Sequence, residues 1–251
     1  MKRFLSLLIL LFLLCSCSSA ANCSAQDASC TRVLFIGNSY TFVNDLPNTF
    51  AKLAQSGGHK KVEVGMAAQG GWALSNHLES SETLNQLNST KWNYVVLQEQ
   101  SEIPSVEQSR TQAMYPAARE LVRRIQERGA TPIFFDTWAH RDGAPEYGMN
   151  TYQSMQAEID TGYMGIAQEL NVPIAPVGFA WFTAVQGHPE LGLWQADGSH
   201  PTMQGTYLAA CVFYAVIFHE SPVGLTYRAD LPKETAKILQ TIASTTVLNT
   251  P

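Results

Sequence analysis

Short apolar runs alternate along this chain with longer stretches of helical spacing. Val33 to Ile36 is continuously apolar and stops at Gly37-Asn38, the pattern of a buried strand ended by a turn. Val62 to Val64 is a shorter strand candidate, and Tyr94–Leu97, Pro132–Phe135 and Val172–Ala175 supply three more. Pro47 suits the first turn of a helix running to about Gln55. A second helix is predicted from about Leu74 to Leu87. In residues 107–128, Met114, Ala117, Leu121 and Ile125 share one face, the charged side chains lie mostly opposite, and Gly129 ends the helix. Residues 151–170 and 233–247 read as further helices, and 203–219 as an apolar, mostly buried one.

Strands alternating with helices predict an α/β fold with a parallel sheet covered on both faces. Right-handed crossovers then give a three-layer α/β/α sandwich around five parallel strands. No internal repeat and no Pro/Ser linker follows residue 30, so one domain over 31–251 is the simplest account. In such sheets ligands bind beyond the carboxyl ends of the strands.

The first residues belong to another physical regime. Lys2 and Arg3 precede an apolar run from Phe4 to Leu14, shorter than the ~20 residues that span a bilayer as a helix. That is the build of a secretory signal over 1–16. Leu14-Cys15-Ser16-Cys17 resembles the lipobox of bacterial lipoproteins, which implies cleavage before Cys17 and its acylation. Residues 17–30 would then be a polar tether, and the protein would be exported and held at a bacterial membrane by its lipid alone.

Composition narrows the partners. The chain has 251 residues, 45% of them hydrophobic, and a net charge of −5. Losing Lys2 and Arg3 makes it more acidic still. Without a basic cluster, a nucleic-acid partner is not expected. Cys23 can pair with Cys30, or Cys30 with Cys211, and spacing does not choose. No clustered Cys/His pattern calls for a metal, and no cofactor is expected.

Polar residues gather after three strands, at Gly37-Asn38-Ser39-Tyr40-Thr41, Gln98-Glu99-Gln100-Ser101 and Asp136-Thr137-Trp138. Asp197-Gly198-Ser199-His200-Pro201 forms a fourth group before the apolar helix. Ser39 alone reads as a helix cap, and Asp197 with His200 alone as a turn. Together they are a hydroxyl, an imidazole and a carboxylate at one sheet edge. A serine hydroxyl needs an adjacent base to become a nucleophile. A His of pKa about 6.5 is that base, and a carboxylate holds its tautomer. Glu99 reads as a solvated or ion-paired loop residue, and His77 and His188 as structural or surface.

These blocks resemble the SGNH (GDSL-like) hydrolase superfamily over about residues 32–219. Gly37-Asn38-Ser39 stands for the usual Gly-Asp-Ser, and Asp197, His200 and Pro201 match Asp-x-x-His-Pro in full. The resemblance implies a flavodoxin-like α/β/α fold and ester hydrolysis through an acyl-serine. Ser39 would be the nucleophile, His200 the base and Asp197 its partner. It further implies an oxyanion hole of the Ser39 N–H, Gly71 (with Gly70 as the alternative) and a side-chain amide. That amide is Gln100 in register, with Gln98 as the alternative, where the family uses Asn. Trp138 is expected to bind substrate, lining the mouth with His140, Arg141 and Asp142. Trp181, Phe182 and Trp194 would either stack on sugar rings or pack the domain edge. A carbohydrate or small-molecule ester is the expected substrate. Acyl transfer to a sugar hydroxyl and non-catalytic glycan binding are the rivals.

Overall fold

Five parallel strands form one sheet: β1 Thr31–Gly37, β2 Val62–Ala68, β3 Tyr94–Leu97, β4 Thr131–Asp136 and β5 Ile174–Pro176. Their order is β2-β1-β3-β4-β5. The structure is a computed structural model and describes residues 23–24 and 27–249. The expected signal segment and Cys17 lie outside the described residues.

Every strand predicted from an apolar run is present, β3 within its predicted limits and the others with shifted ones. β2 extends to Ala68 because it pairs with β1 from Thr31↔Val62 to Gly37↔Ala68. It is an edge strand, mostly half-buried, so its apolar signal is short. β5 starts two residues later than the apolar run. The Val172 N–H still bonds back to the Ala167 carbonyl across the left-handed Asn171, so pairing with β4 begins only at Ile174.

Helices Leu46–Ser56, Met203–Phe218 and Lys233–Leu248 pack together on one side of the sheet, and Leu74–Glu79, Tyr115–Glu127 and Tyr152–Leu170 on the other. Val33–Ile36 and Val95–Leu97 are fully buried between these layers. Met203–Phe218 is buried over nearly its whole length, as its uniformly apolar sequence requires.

Two predicted helices are broken. Residues 74–89 divide at Ser80, which is extended and whose hydroxyl accepts the Thr83 N–H to start the second piece. Residues 107–127 contain a π turn at Arg110–Met114 just before Pro116, where the missing proline N–H disturbs the i→i−4 ladder. Val177–Gly187 is a helix that periodicity did not isolate, being apolar all round. Cys23 is bonded to Cys30, and Cys211 is free and buried.

Between β1 and β3 the chain changes the direction in which it adds strands. Loops from neighbouring carboxyl ends diverge there and leave a crevice. The segments after Gly37 and after Leu97 both open into it.

Candidate active site

β1 delivers Ser39 at the start of a short helix, Ser39–Phe42. The turn before it is built by side-chain amides. The Asn38 N–H donates to Gln98 Oε1 (2.8 Å), and Gln98 Nε2 donates to Asn38 Oδ1 (2.9 Å). Asn38 Oδ1 also accepts the Tyr40 N–H, while Asn38 Nδ2 donates to the Trp72 carbonyl at 2.9 Å. A carboxylate could not make that last bond, which gives Asn38 a physical role distinct from the usual Asp. Gly37 leaves room for this clamp. A Cβ on it would lie 2.4 Å from both Gln98 Oε1 and Thr41 Oγ1.

Asp197 and His200 share one tight turn, with Gly198 at positive φ. Asp197 Oδ1 accepts the Ser199 and His200 N–H groups at 2.9 and 3.0 Å, and Oδ2 lies 2.7 Å from His200 Nδ1. The Ser199 N–H contributes most to holding the Asp197 carboxyl down at about 2, with the His200 ring assisting. The carboxylate is therefore charged at neutral pH and aimed at the imidazole. His200 Nε2 lies 2.9 Å from Ser39 Oγ. Ser39 and His200 are half-buried and Asp197 is exposed, so the relay opens to solvent.

The other two expected donors lie on the loops after β2 and β3. Gly71 has φ +74° and stands exposed. Its turn is fixed by Gln69 N–H to the Gly37 carbonyl and by the Asn38–Trp72 bond. Gln100 Oε1 accepts the Glu102 and Ile103 N–H groups at 2.8 and 3.1 Å, leaving Nε2 with only a 3.3 Å contact to Ser101 Oγ. Among the described residues, neither the Ser39 nor the Gly71 N–H has an acceptor. Gln98, by contrast, is fully buried with its amide engaged at both ends.

Comparison with solved structures places this fold in a known setting. A candidate SGNH hydrolase from Slackia heliotrinireducens is 28% identical, with TM-score 0.64, over 75% of this chain and 99% of that one. This chain belongs to the SGNH hydrolase superfamily. A DUF4886 family protein from Bacteroides uniformis shares the SGNH fold with TM-score 0.70 at 21% identity, over 87% of this chain and 95% of that one. A mutant acetyl-xylooligosaccharide esterase from Geobacillus Stearmophilus shares it with TM-score 0.59 at 17% identity, over 76% and 95%. No protein-family profile matches the chain, and no curated protein does.

Two expectations for this SGNH site need correction. Trp138 does not line the mouth. It is fully buried between Tyr40 (ring centroids 4.5 Å apart) and Trp181 (4.0 Å), and its Nε1–H donates to the Ser199 carbonyl at 2.9 Å. A ring sandwiched on both faces has no surface left for a ligand, so Trp138 supports the His200 loop instead. Trp181 is buried with it. Trp194 is half-buried and donates to the Ala139 carbonyl, and Phe182 is partly exposed. Glu99 is neither solvated nor ion-paired. It is fully buried, and Oε1 accepts the N–H groups of Leu74 (3.1 Å) and Gln100 (2.7 Å). Burial pushes its carboxyl up to about 7. Glu99 thus ties the segment after the Gly71 turn to the Gln100 loop. His77 is structural, bridging the Gly37 carbonyl and the Thr83 hydroxyl in the interior, and His188 is at the surface beside Glu190.

Sequence reasoning missed Tyr40. Its hydroxyl lies 2.7 Å from Ser199 Oγ and its ring meets His200 edge-on. It joins the residue after Ser39 to the residue before His200. An aromatic after a strand end reads as core, so no local signal marks it.

Proposed function

We propose that this protein is a serine esterase. Ser39 Oγ attacks the ester carbonyl while His200 Nε2 takes its proton, and Asp197 stabilises the imidazolium. The tetrahedral oxyanion is held by the N–H groups of Ser39 and Gly71 and by Gln100 Nε2. His200 returns the proton to the departing alcohol, and water, activated by the same imidazole, releases the acid from acyl-Ser39. The observation that carries this reading is the continuous relay from Asp197 Oδ2 through His200 to Ser39 Oγ, with links of 2.7 and 2.9 Å.

The substrate class is an O-acyl group on carbohydrate. One structural neighbour is named an acetyl-xylooligosaccharide esterase, and Ser39 and His200 are half-buried rather than enclosed. We also propose export and anchoring through acylated Cys17. The Cys23–Cys30 disulfide supports an oxidising compartment.

The test is p-nitrophenyl acetate and acetylated-sugar hydrolysis by residues 22–251, alongside Ser39→Ala and His200→Ala. Turnover in the parent that drops by orders of magnitude in both variants is the expected result. Variants that keep the parent's rate would overturn the assignment.

A further inference from the structure

A second serine–imidazole pair stands beside the first. Ser101 Oγ lies 3.3 Å from His140 Nε2, and His140 Nδ1 lies 3.9 Å from Glu102 Oε1. The Ser101 hydroxyl also faces the Tyr40 hydroxyl, which bonds Ser199. A chain of hydroxyls therefore runs from the residue before His200, through the residue after Ser39, to His140. The His140 end of it reaches solvent, with 21% of that side chain exposed.

Its position in the fold gives it a side of the reaction. Gly71 follows β2 and Gln100 follows β3, and from Gln100 onward the post-β3 loop turns toward His140, which Ser101 contacts. His140 follows β4, and the next residue, Arg141, donates its N–H to the Gly198 carbonyl in the His200 turn at 2.7 Å. A departing alcohol takes its proton from His200, so it leaves on the side that His140 borders. Ser101, Glu102, His140 and Arg141 place polar side chains there. Burial holds the His140 ring below its ordinary pKa. A neutral imidazole offers one donor and one acceptor, which suits a hydroxyl.

We infer that His140, braced by Ser101, is the specificity-determining contact for the alcohol half of the substrate, and that it binds a hydroxyl neighbouring the ester on a polyhydroxylated alcohol. This rests on the esterase reading. An alcohol with no second hydroxyl leaves the imidazole unmatched. A sugar matches it, and the gain is realised as selectivity between the two esters.

The experiment compares acetate release from monoacetylated xylose and from ethyl acetate, as a ratio of kcat/KM values. His140→Ala and Ser101→Ala are expected to lower that ratio about tenfold, with His140→Gln keeping part of it. An unchanged ratio in all three variants overturns the inference. Should the parent release acetate from neither ester, the esterase reading fails on its own. His140 is then decided by titrating the Ser39→Ala protein with monoacetylated xylose. A shift of the His140 imidazole resonances supports the contact, and unmoved resonances overturn it.

Discussion

Ser39 Oγ and His200 Nε2 lie 2.9 Å apart although 161 residues separate them in the chain. The distance is set by two rigid turns rather than by either side chain. One is the Asn38–Gln98 amide clamp, and the other is the Asp197 carboxylate capping the Ser199 and His200 N–H groups.

Asp197→Asn tests whether the carboxylate governs the imidazole. An amide donating from its Nδ2 would favour the wrong His200 tautomer and remove the charge that balances imidazolium. The expected result is a fall in kcat of about 10²–10⁴-fold with the fold intact. Steady-state ester hydrolysis and the rate of Ser39 labelling by a fluorophosphonate would read it. An unaltered labelling rate would remove Asp197 from the relay.

Gln100→Glu separates the two ends of one side chain. A carboxylate can still accept the Glu102 and Ile103 N–H groups, so the turn survives, but the Nε2 donor is gone and a negative charge replaces it. We expect kcat to drop by about 10²–10³-fold, the effect of losing one oxyanion donor, with a urea midpoint close to the parent's. A preserved kcat would mean that the oxyanion is held by backbone N–H groups alone.

Glu99 makes stability depend on pH. Its carboxyl is raised from an ordinary 4.5 to about 7 by burial, so the folded chain binds this proton more tightly than the unfolded chain. The contribution is full below about pH 4.5 and is lost as pH rises through about 7, where the buried group must ionise. Between pH 5 and pH 8 the parent should therefore lose more stability than Glu99→Gln, by up to about 3 kcal/mol. Asp136 and Asp160, also raised by burial, tilt both proteins in the same direction and cancel in the comparison. Urea unfolding at the two pH values gives the answer, and equal losses would show that Glu99 does not titrate in this range.

Trp138→Ala should act on folding first. The ring is fully buried between Tyr40 and Trp181, and deleting it leaves a cavity and an unpaired Ser199 carbonyl. The expected loss is about 3–5 kcal/mol, measured by thermal or urea unfolding. An unchanged midpoint with a raised KM would restore the substrate-binding role that burial argues against.

How much of this could be read along the chain depends on the range of the interaction. The apolar runs at Val33–Ile36, Tyr94–Leu97 and Pro132–Phe135 are strands because a two-sided sheet needs continuous apolar sequence. The Asp197–His200 pair is likewise local, three residues apart in one turn. Ser39 on its own reads as a helix cap, and it stands out only together with the Asp197–His200 block. The Gln100 expectation rests on register with the family's Asn, and its Nε2 has only a 3.3 Å contact to Ser101 Oγ. The Cys23–Cys30 pairing, the fate of Trp138 and the burial of Glu99 were not legible, since each depends on what packs against it.

Local patterning settled the α/β class and the parallel strands, because periodicity and turn chemistry act over a few residues, while the candidate roles of Ser39, His200 and Asp197 came from the resemblance of their sequence blocks. Tertiary packing alone decided that Trp138 is a pillar under the His200 turn, that Gln98 is a clamp, that Glu99 joins two loops, and that His140 and Ser101 stand beside the relay. Those outcomes turn on burial and on contacts across 60 or 64 residues, as between Asn38 and Gln98 or Glu99 and Tyr163. A side chain's neighbours at such separations are set by how the layers close, which no short window of sequence contains.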